Sequence, residues 1–202
     1  MASEQDLPRT VLPIPDREHQ GLTTFDTKDP DTQYPPIQPL RPPAGAPNVL
    51  VVLLDDVGFG ASSAFGGPVH TPTALCSPTR AALLSGRNHH TVGFGAITEM
   101  ATSAPGNNSL RPNTCAPLAE VLKLNGYATA QFGKCHELPV WETSPVGSFK
   151  SWPSGGSGFE YFYAFIGGET NQYQSALYEG TTPVEPDRSP AEGHHLTEDL
   201  TR

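Results

Sequence analysis

Three short stretches of this chain carry side chains that could do chemistry. In Cys76-Ser77-Pro78-Thr79-Arg80 a thiol and a guanidinium stand four positions apart. In Leu53-Leu54-Asp55-Asp56 two carboxylates close an apolar run, and Gly133-Lys134-Cys135-His136-Glu137 sets an ammonium two positions from an imidazole. A thiol at a helix start meets unpaired N–H groups and the positive end of the helix dipole, which favour an anion and the thiolate form. An arginine one helical turn on falls on the same face. Its planar fork suits a tetrahedral oxyanion such as sulfate or phosphate. Paired carboxylates supply the hard oxygens that a divalent cation takes. Together the stretches read as one anion- and metal-binding site. A cysteine-phosphatase loop is excluded, because only three residues separate Cys76 from Arg80 and Pro78 removes one of the N–H donors such a loop needs. Taken singly, each feature has a plainer explanation: a lone Cys is among the most buried residue types, and Lys134 with His136 would pass for a solvated loop pair.

These side chains need elements to position them. Val49-Leu50-Val51-Val52-Leu53-Leu54 is apolar without alternation and reads as a strand buried on both faces, as in a parallel sheet. Ligands of open α/β sheets bind beyond the carboxyl ends of strands, which is where Asp55 and Asp56 stand. A helix is expected from Cys76-Ser77, with Ser77 as cap, Pro78 in the first turn and Gly86 as the stop. A second helix is expected over Cys115 to Asn125, capped by Thr114, with Pro117 in its first turn and Gly126 at its end. Tyr127 to Phe132 and Gly158 to Tyr163 read as strands, and His195 to Leu200 as the start of a helix. The order predicts an α/β fold with a mixed, mainly parallel sheet flanked by helices. Asp55, Asp56, Lys134 and His136 then project from strand ends on one edge. His89-His90 and His194-His195 are adjacent pairs whose members face apart, which speaks against shared metal ligation, and His70 reads as a loop residue.

Composition bounds what the site could serve. The 202 residues suit one domain or a little more, and 36% apolar residues are enough for a core. A net charge of -9, a pI of about 5.1 and the lack of a basic run exclude nucleic acid as a partner. A small anion remains compatible, because field focusing by a local cationic cluster is local. Cys76, Cys115 and Cys135 have neither CxxC nor zinc-finger spacing, and reduced thiols fit a cytosolic chain. No secretory signal is visible in the acidic N-terminus and no apolar run reaches membrane-spanning length, so the expected location is cytoplasmic, without a membrane partner. Residues 1–46 are polar and proline-rich and read as an extended or disordered arm ahead of a domain over 47–202. The sequon Asn107-Asn108-Ser109 is best explained by chance.

The stretch from Cys76 to Arg87 resembles the signature of the type I sulfatases, C-x-P-x-R followed by a leucine-rich helix and Gly-Arg. Pro47-Asn48 with the apolar run and Asp55-Asp56 resembles that family's metal-binding start. Gly133-Lys134-Cys135-His136 resembles its GKxH element, and Gly158-Phe159-Glu160 its GFD/E turn. The similarity runs over roughly residues 47 to 202, in the family's order. It implies the alkaline phosphatase-like fold, incomplete in this chain, and an arylsulfatase-like hydrolase of sulfate monoesters. A separate formylglycine-generating enzyme would convert Cys76 to 3-oxoalanine, whose hydrated diol attacks sulfur; the alcohol leaves, and the carbonyl re-forms as sulfate is expelled. Such covalent catalysis splits one difficult step in two. The resemblance also implies Ca²⁺, or Mg²⁺ in its place, held by Asp55, Asp56 and the diol of residue 76. By the same resemblance Arg80 steadies the diol and the ligand network, Lys134 contacts sulfate, and His136 bonds the diol or the sulfate. A formylglycine-dependent phosphonate or phosphate monoester hydrolase and a catalytically inactive fragment are the alternatives.

Two departures shape the expectation. The family places a helix and a further strand between the Asp pair and the cysteine, and a strand-to-strand crossover needs about a dozen residues or more. Here His70-Thr71-Pro72-Thr73 runs directly into Ala74-Leu75-Cys76, as an internal deletion would leave it, and the reach of Cys76 to the metal pocket is then the question. The family also draws a second metal-binding pair and further sulfate-binding His and Lys from a longer C-terminal part. The chain on its own is therefore expected to be incomplete as an enzyme.

Overall fold

The computed structural model describes residues 21–33, 40–68, 73, 75–144 and 148–201. The backbone groups into two units, Met1–Pro39 and Leu40–Arg202. In the first, the described residues form tight turns. Asp26 Oδ1 accepts from the Lys28 N–H at 2.9 Å and Asp29 Oδ1 from the Asp31 N–H at 2.9 Å, the usual way that Asp side chains hold turns. Gln33 N–H closes the segment on Leu22 O at 2.9 Å. Of the arm expected over 1–46, residues 1–20 and 34–39 lie outside the described residues, as does His70.

Among its described residues the second unit carries three α-helices and four strands: α1 Cys76–Ser85, α2 Leu118–Lys123, β1 Ala130–Cys135, β2 Tyr161–Ile166, β3 Leu177–Glu179, β4 Thr182–Val184 and α3 Leu196–Asp199. The sheet runs β1-β2-β3-β4. β1 and β2 are parallel, from Ala130 opposite Tyr161 to Cys135 opposite Ile166. β3 pairs antiparallel with β2, and β4 antiparallel with β3. The mixed α/β sheet expected from the sequence is present, with one parallel and two antiparallel pairings among the described strands.

The two faces of β2 explain its position. Its side chains alternate, as strand geometry dictates. Phe162 and Ala164 pack with Cys135, Leu138 and Trp152, with Ile166 and Tyr178 against them. Phe165 packs the other way, with Leu177 and Leu196, beside Tyr163, Val184 and Leu200. Trp152 is 0% exposed, and its indole N–H donates to Glu142 O at 2.6 Å, so its polar atom is satisfied where its ring is buried. A third cluster, Ala81, Val92, Phe94 and Cys115, lies under α1.

Several elements differ from the expectation. Val49 to Leu54 forms no strand, and its side chains are 44–86% exposed. A strand buried on both faces needs ladder partners and covering layers, and among the described residues none pairs with this run. α2 starts at Leu118 rather than Cys115, with Pro117 as its N-cap at φ -72 and ψ 153. The proline disfavours helical backbone at Ala116, so the helix cannot begin earlier. β1 lies three residues later than read, and Lys134 is inside it rather than beyond its end. The ladder to β2 carries the strand through Gly133, despite a φ of +91. β2 is displaced in the same sense, to Tyr161–Ile166. Gly158, at φ +83, takes the turn before it, where a Cβ would stand 2.3 Å from Glu120 N of α2. α1 begins at Cys76 with Leu75 as N-cap and no side-chain cap bond. Ser77 is therefore not the cap, and its buried hydroxyl has no hydrogen-bond partner among the described residues. Gly86 ends α1 at φ 64, as expected. α3 falls within the expected span, with His195 as its N-cap. No helix among the described residues is long and apolar enough to cross a membrane.

Candidate functional site

The site forms where the N-terminus of α1 meets the C-terminal end of β1. Arg80 lies one turn into α1, and its Nη1 donates to the carbonyl of Lys134 at 2.7 Å. That bond ties the helix to the strand. The same Nη1 is 3.8 Å from Glu137 Oε1, so the largely buried guanidinium has a partner of opposite charge. A charge taken out of water needs such a partner.

Alternation along β1 sorts the next residues. Cys135 turns into the core, while Lys134 and His136 reach the site. Lys134 Nζ is 2.6 Å from Asp55 Oδ2, with side-chain exposures of 9% and 41%. Cys76 Sγ is 3.0 Å from His136 Nδ1. Asp55 and Cys76 are thus each tied to residues two apart, a spacing of roughly 7 Å along extended backbone. Cys76 reaches His136, and Asp55 reaches Lys134, on the same strand end. Thr79 Oγ1 also donates to Thr73 O at 2.7 Å, which anchors the link to the helix. Asp56 is exposed, has the left-handed φ of 49, and has no side-chain partner among the described residues. That backbone is uncommon outside glycine, although Asp tolerates it better than most.

Two acidic residues escaped the sequence reading. Glu99 sits in a one-turn 3-10 segment, Thr98–Met100, and both its oxygens reach His136 Nε2, at 2.9 and 2.7 Å. Nothing in its spacing announced this, because a loop brings it in. Glu137 follows His136 directly and could have been found as the next carboxylate after the GKxH element. It accepts from the Cys135 thiol at 3.1 Å as well as facing Arg80. Burial works to raise the Glu99 carboxyl, but the hydrogen bond and charge of His136, with lesser bonds, outweigh it and hold the group below its ordinary 4.5. Burial first, and the Glu137 charge second, push the Cys135 thiol well above its ordinary value, so Cys135 is a poor nucleophile. His136 is 2% exposed, and a Cβ at Gly168 would stand 3.0 Å from its Cε1. The imidazole is therefore held by Glu99 at one nitrogen and walled by Gly168.

The arrangement offers a helix start and an imidazole at residue 76, with Arg80, Lys134 and the carboxylates of Asp55, Glu99 and Glu137 in contact with the same strand end. Asp55 and Asp56 have the hard-oxygen chemistry of a Ca²⁺ or Mg²⁺ site. No group of three or more His, Cys, Asp and Glu gathers as a cation cage among the described residues, and the Lys134 ammonium sits against Asp55. His89 and His90, expected to face apart, have ring centroids 4.3 Å from each other at an interplanar angle of 37°. His89 Nδ1 is 3.0 Å from Phe94 O, while His195 Nδ1 accepts from Thr197 N–H at 3.3 Å. A separate cavity of about 350 Å³ lies behind Glu137, lined among others by Arg111, Lys150 and Glu120. Its two cations are matched by its two carboxylates, so it is not an anion pocket.

The sequence was compared with known proteins. A family model described as sulfatase matches residues 68–202. An uncharacterized sulfatase of Schizosaccharomyces pombe is 33% identical over 144 residues, covering 57% of this chain and 26% of that protein. An arylsulfatase of Klebsiella aerogenes is 27% identical over 154 residues, 67% of this chain and 31% of that protein. Arylsulfatase A of Bos taurus is 33% identical over 113 residues, 46% of this chain and 21% of that protein. The chain thus spans between a fifth and a third of the length of these curated relatives. Among solved structures, Ps i-CgsB in complex with k-i-k-neocarrahexaose matches with a TM-score of 0.48 and 22% identity, over 65% of this chain and 30% of that one.

Proposed function

The chain belongs to the sulfatase family, and from that premise we propose that it carries the nucleophile side of a site that hydrolyses a sulfate monoester of an alcohol or phenol. The observation that supports this best is the meeting of Cys76, Arg80, Lys134 and His136. Their contacts join residues 54 and 60 positions apart in sequence. Chance rarely assembles the residues of one motif with those of another.

On this reading Cys76 is a precursor. Its oxidation to 3-oxoalanine by a formylglycine-generating enzyme would supply an aldehyde whose hydrate bears the nucleophilic hydroxyl. Asp55 and Asp56 would hold Ca²⁺, or Mg²⁺ in its place, which supplies a Lewis acid that polarises sulfate oxygens. The chain's own residues do the rest. Arg80 fixes the distance between helix and strand by bonding the Lys134 carbonyl, and so keeps residue 76 against His136. Lys134, once released from Asp55, presents three ammonium donors to the oxyanion. His136 holds a proton-exchanging nitrogen against residue 76, within hydrogen-bond reach for acid–base work. The buried face of α1 and the core residue Cys135 keep water from the rear of the site.

The test is to coexpress this chain, and any longer protein that contains it, with a formylglycine-generating enzyme. Mass spectrometry of the peptide bearing residue 76 is expected to show the aldehyde. Turnover of an aryl sulfate is expected in the longer protein and lost in Cys76→Ala. Only unmodified Cys76, or turnover of aryl phosphate or phosphonate in preference to sulfate, would overturn the reading.

A further inference from the structure

Glu99 touches the site from outside every stretch that carries the sulfatase motifs. Resting on the function proposed above, we propose that Glu99 is a positioning residue: it locks His136 in the tautomer that carries its proton on Nε2, so that Nδ1 faces residue 76 as a hydrogen-bond acceptor.

The argument runs from donor and acceptor inventory. Nε2 lies 2.9 and 2.7 Å from the two Glu99 oxygens. An ionised carboxylate has only lone pairs, and a neutral imidazole has one N–H. In the neutral ring the proton then sits on Nε2, and Nδ1 keeps its lone pair. Cys76 Sγ, 3.0 Å from Nδ1, then donates its S–H to that lone pair. In the matured residue this sulfur stands in for a diol hydroxyl, which would donate the same way. An imidazole fixed like this can take a proton from residue 76 but cannot hand it one. The opposite tautomer would set Nδ1–H against a donor and leave a bare Nε2 facing a carboxylate.

The surroundings hold the arrangement. His136 is buried, so water has little access to supply a substitute partner. Gly168 stands close against the ring edge that a flipped imidazole would have to sweep. The Thr98 hydroxyl donates to Glu99 Oε2 at 3.3 Å, steadying the carboxylate from the 3-10 turn. Carboxylate–histidine pairs fix tautomers in this way generally.

The experiment uses the chain as it stands, with Cys76 unconverted and the histidines labelled with ¹⁵N. Long-range ¹H–¹⁵N spectra at roughly pH 8.5, some two units above the ordinary imidazole value, distinguish protonated from bare ring nitrogens. His136→Gln assigns the signals. His136 is expected as a single species with Nε2 protonated and Nδ1 bare. Glu99→Ala is expected to raise the Nδ1–H form several-fold while the circular dichroism stays unchanged. Glu99→Met keeps the bulk without a strong acceptor and gives the same reading should the alanine variant unfold. An Nδ1–H in the unaltered chain, in either tautomer or imidazolium form, would overturn the proposal. So would an unchanged tautomer in a folded Glu99 variant. The readout needs no turnover, so it stands or falls separately from sulfate hydrolysis.

Discussion

Two six-residue stretches of this chain, one containing Lys134 and the other running into its partner Asp55, have opposite fates. Ala130–Cys135 contains a glycine at φ +91, a lysine and a glutamine, yet it is a strand. Val49 to Leu54 is wholly valine and leucine, yet it is irregular and exposed. Intrinsic preference favours the second on every count. Partners decide the matter. β1 has β2 beside it in register, Trp152 and Phe162 beneath Cys135, and Arg80 bonded to its Lys134 carbonyl. Val49–Leu54 is tied to β1 through Asp55, whose carboxylate meets Lys134, and has no ladder partner among the described residues. A β pattern records an ability to fill a pleated, half-buried surface, and that surface has to be present.

The contrast can be broken or sharpened by substitution. The largest effect is expected from Trp152→Ala, which removes the ring under β1 and β2 and should cost about 3–5 kcal/mol in a denaturant titration. A loss below about 1 kcal/mol would mean that burial is not what makes β1 a strand. Next, Lys134→Met removes the ion pair that joins the two stretches. The expected loss is no more than about 1 kcal/mol, shrinking further as salt screens the pair. Titration calorimetry with Ca²⁺ should show tighter binding to this variant, because the competing ammonium is gone from Asp55. Unchanged or weaker Ca²⁺ affinity would show that Lys134 does not compete. The smallest effect is expected from Leu50→Ser, within about 0.5 kcal/mol. Hydrogen exchange should match it, with amides 50–54 exchanging fast beside protected amides in β1. Slow exchange at 50–54 would abolish the contrast.

The same lesson divides what the sequence disclosed from what it withheld. Local chemistry was readable. Gly86 ends α1 because left-handed backbone favours glycine, and Cys76 with Arg80 shares a helix face because a turn spans four residues. Contacts across the fold were readable only through the motif order, which brought Lys134 and His136 to Cys76. Element boundaries set by tertiary partners were not readable. The ladder to β2 runs through Gly133, where local propensity says stop, and α2 waits for Pro117 to pass. Glu99 was invisible because a single acidic residue in a polar loop has no period or spacing. Only the fold shows that it ends at an imidazole.

Gly168 carries a consequence for how this molecule tolerates mutation. Replacing it adds at least a methyl group, 3.0 Å from the His136 ring, so the imidazole that faces residue 76 must give by a few tenths of an ångström to admit it. The backbone there needs no unusual φ, so the fold would survive such a change. A random library screened for folded, soluble protein should therefore accept many residues at 168, while one screened for chemistry accepts glycine. Position 168 is a point where the genetic record of the site could be erased while the record of the fold stays intact.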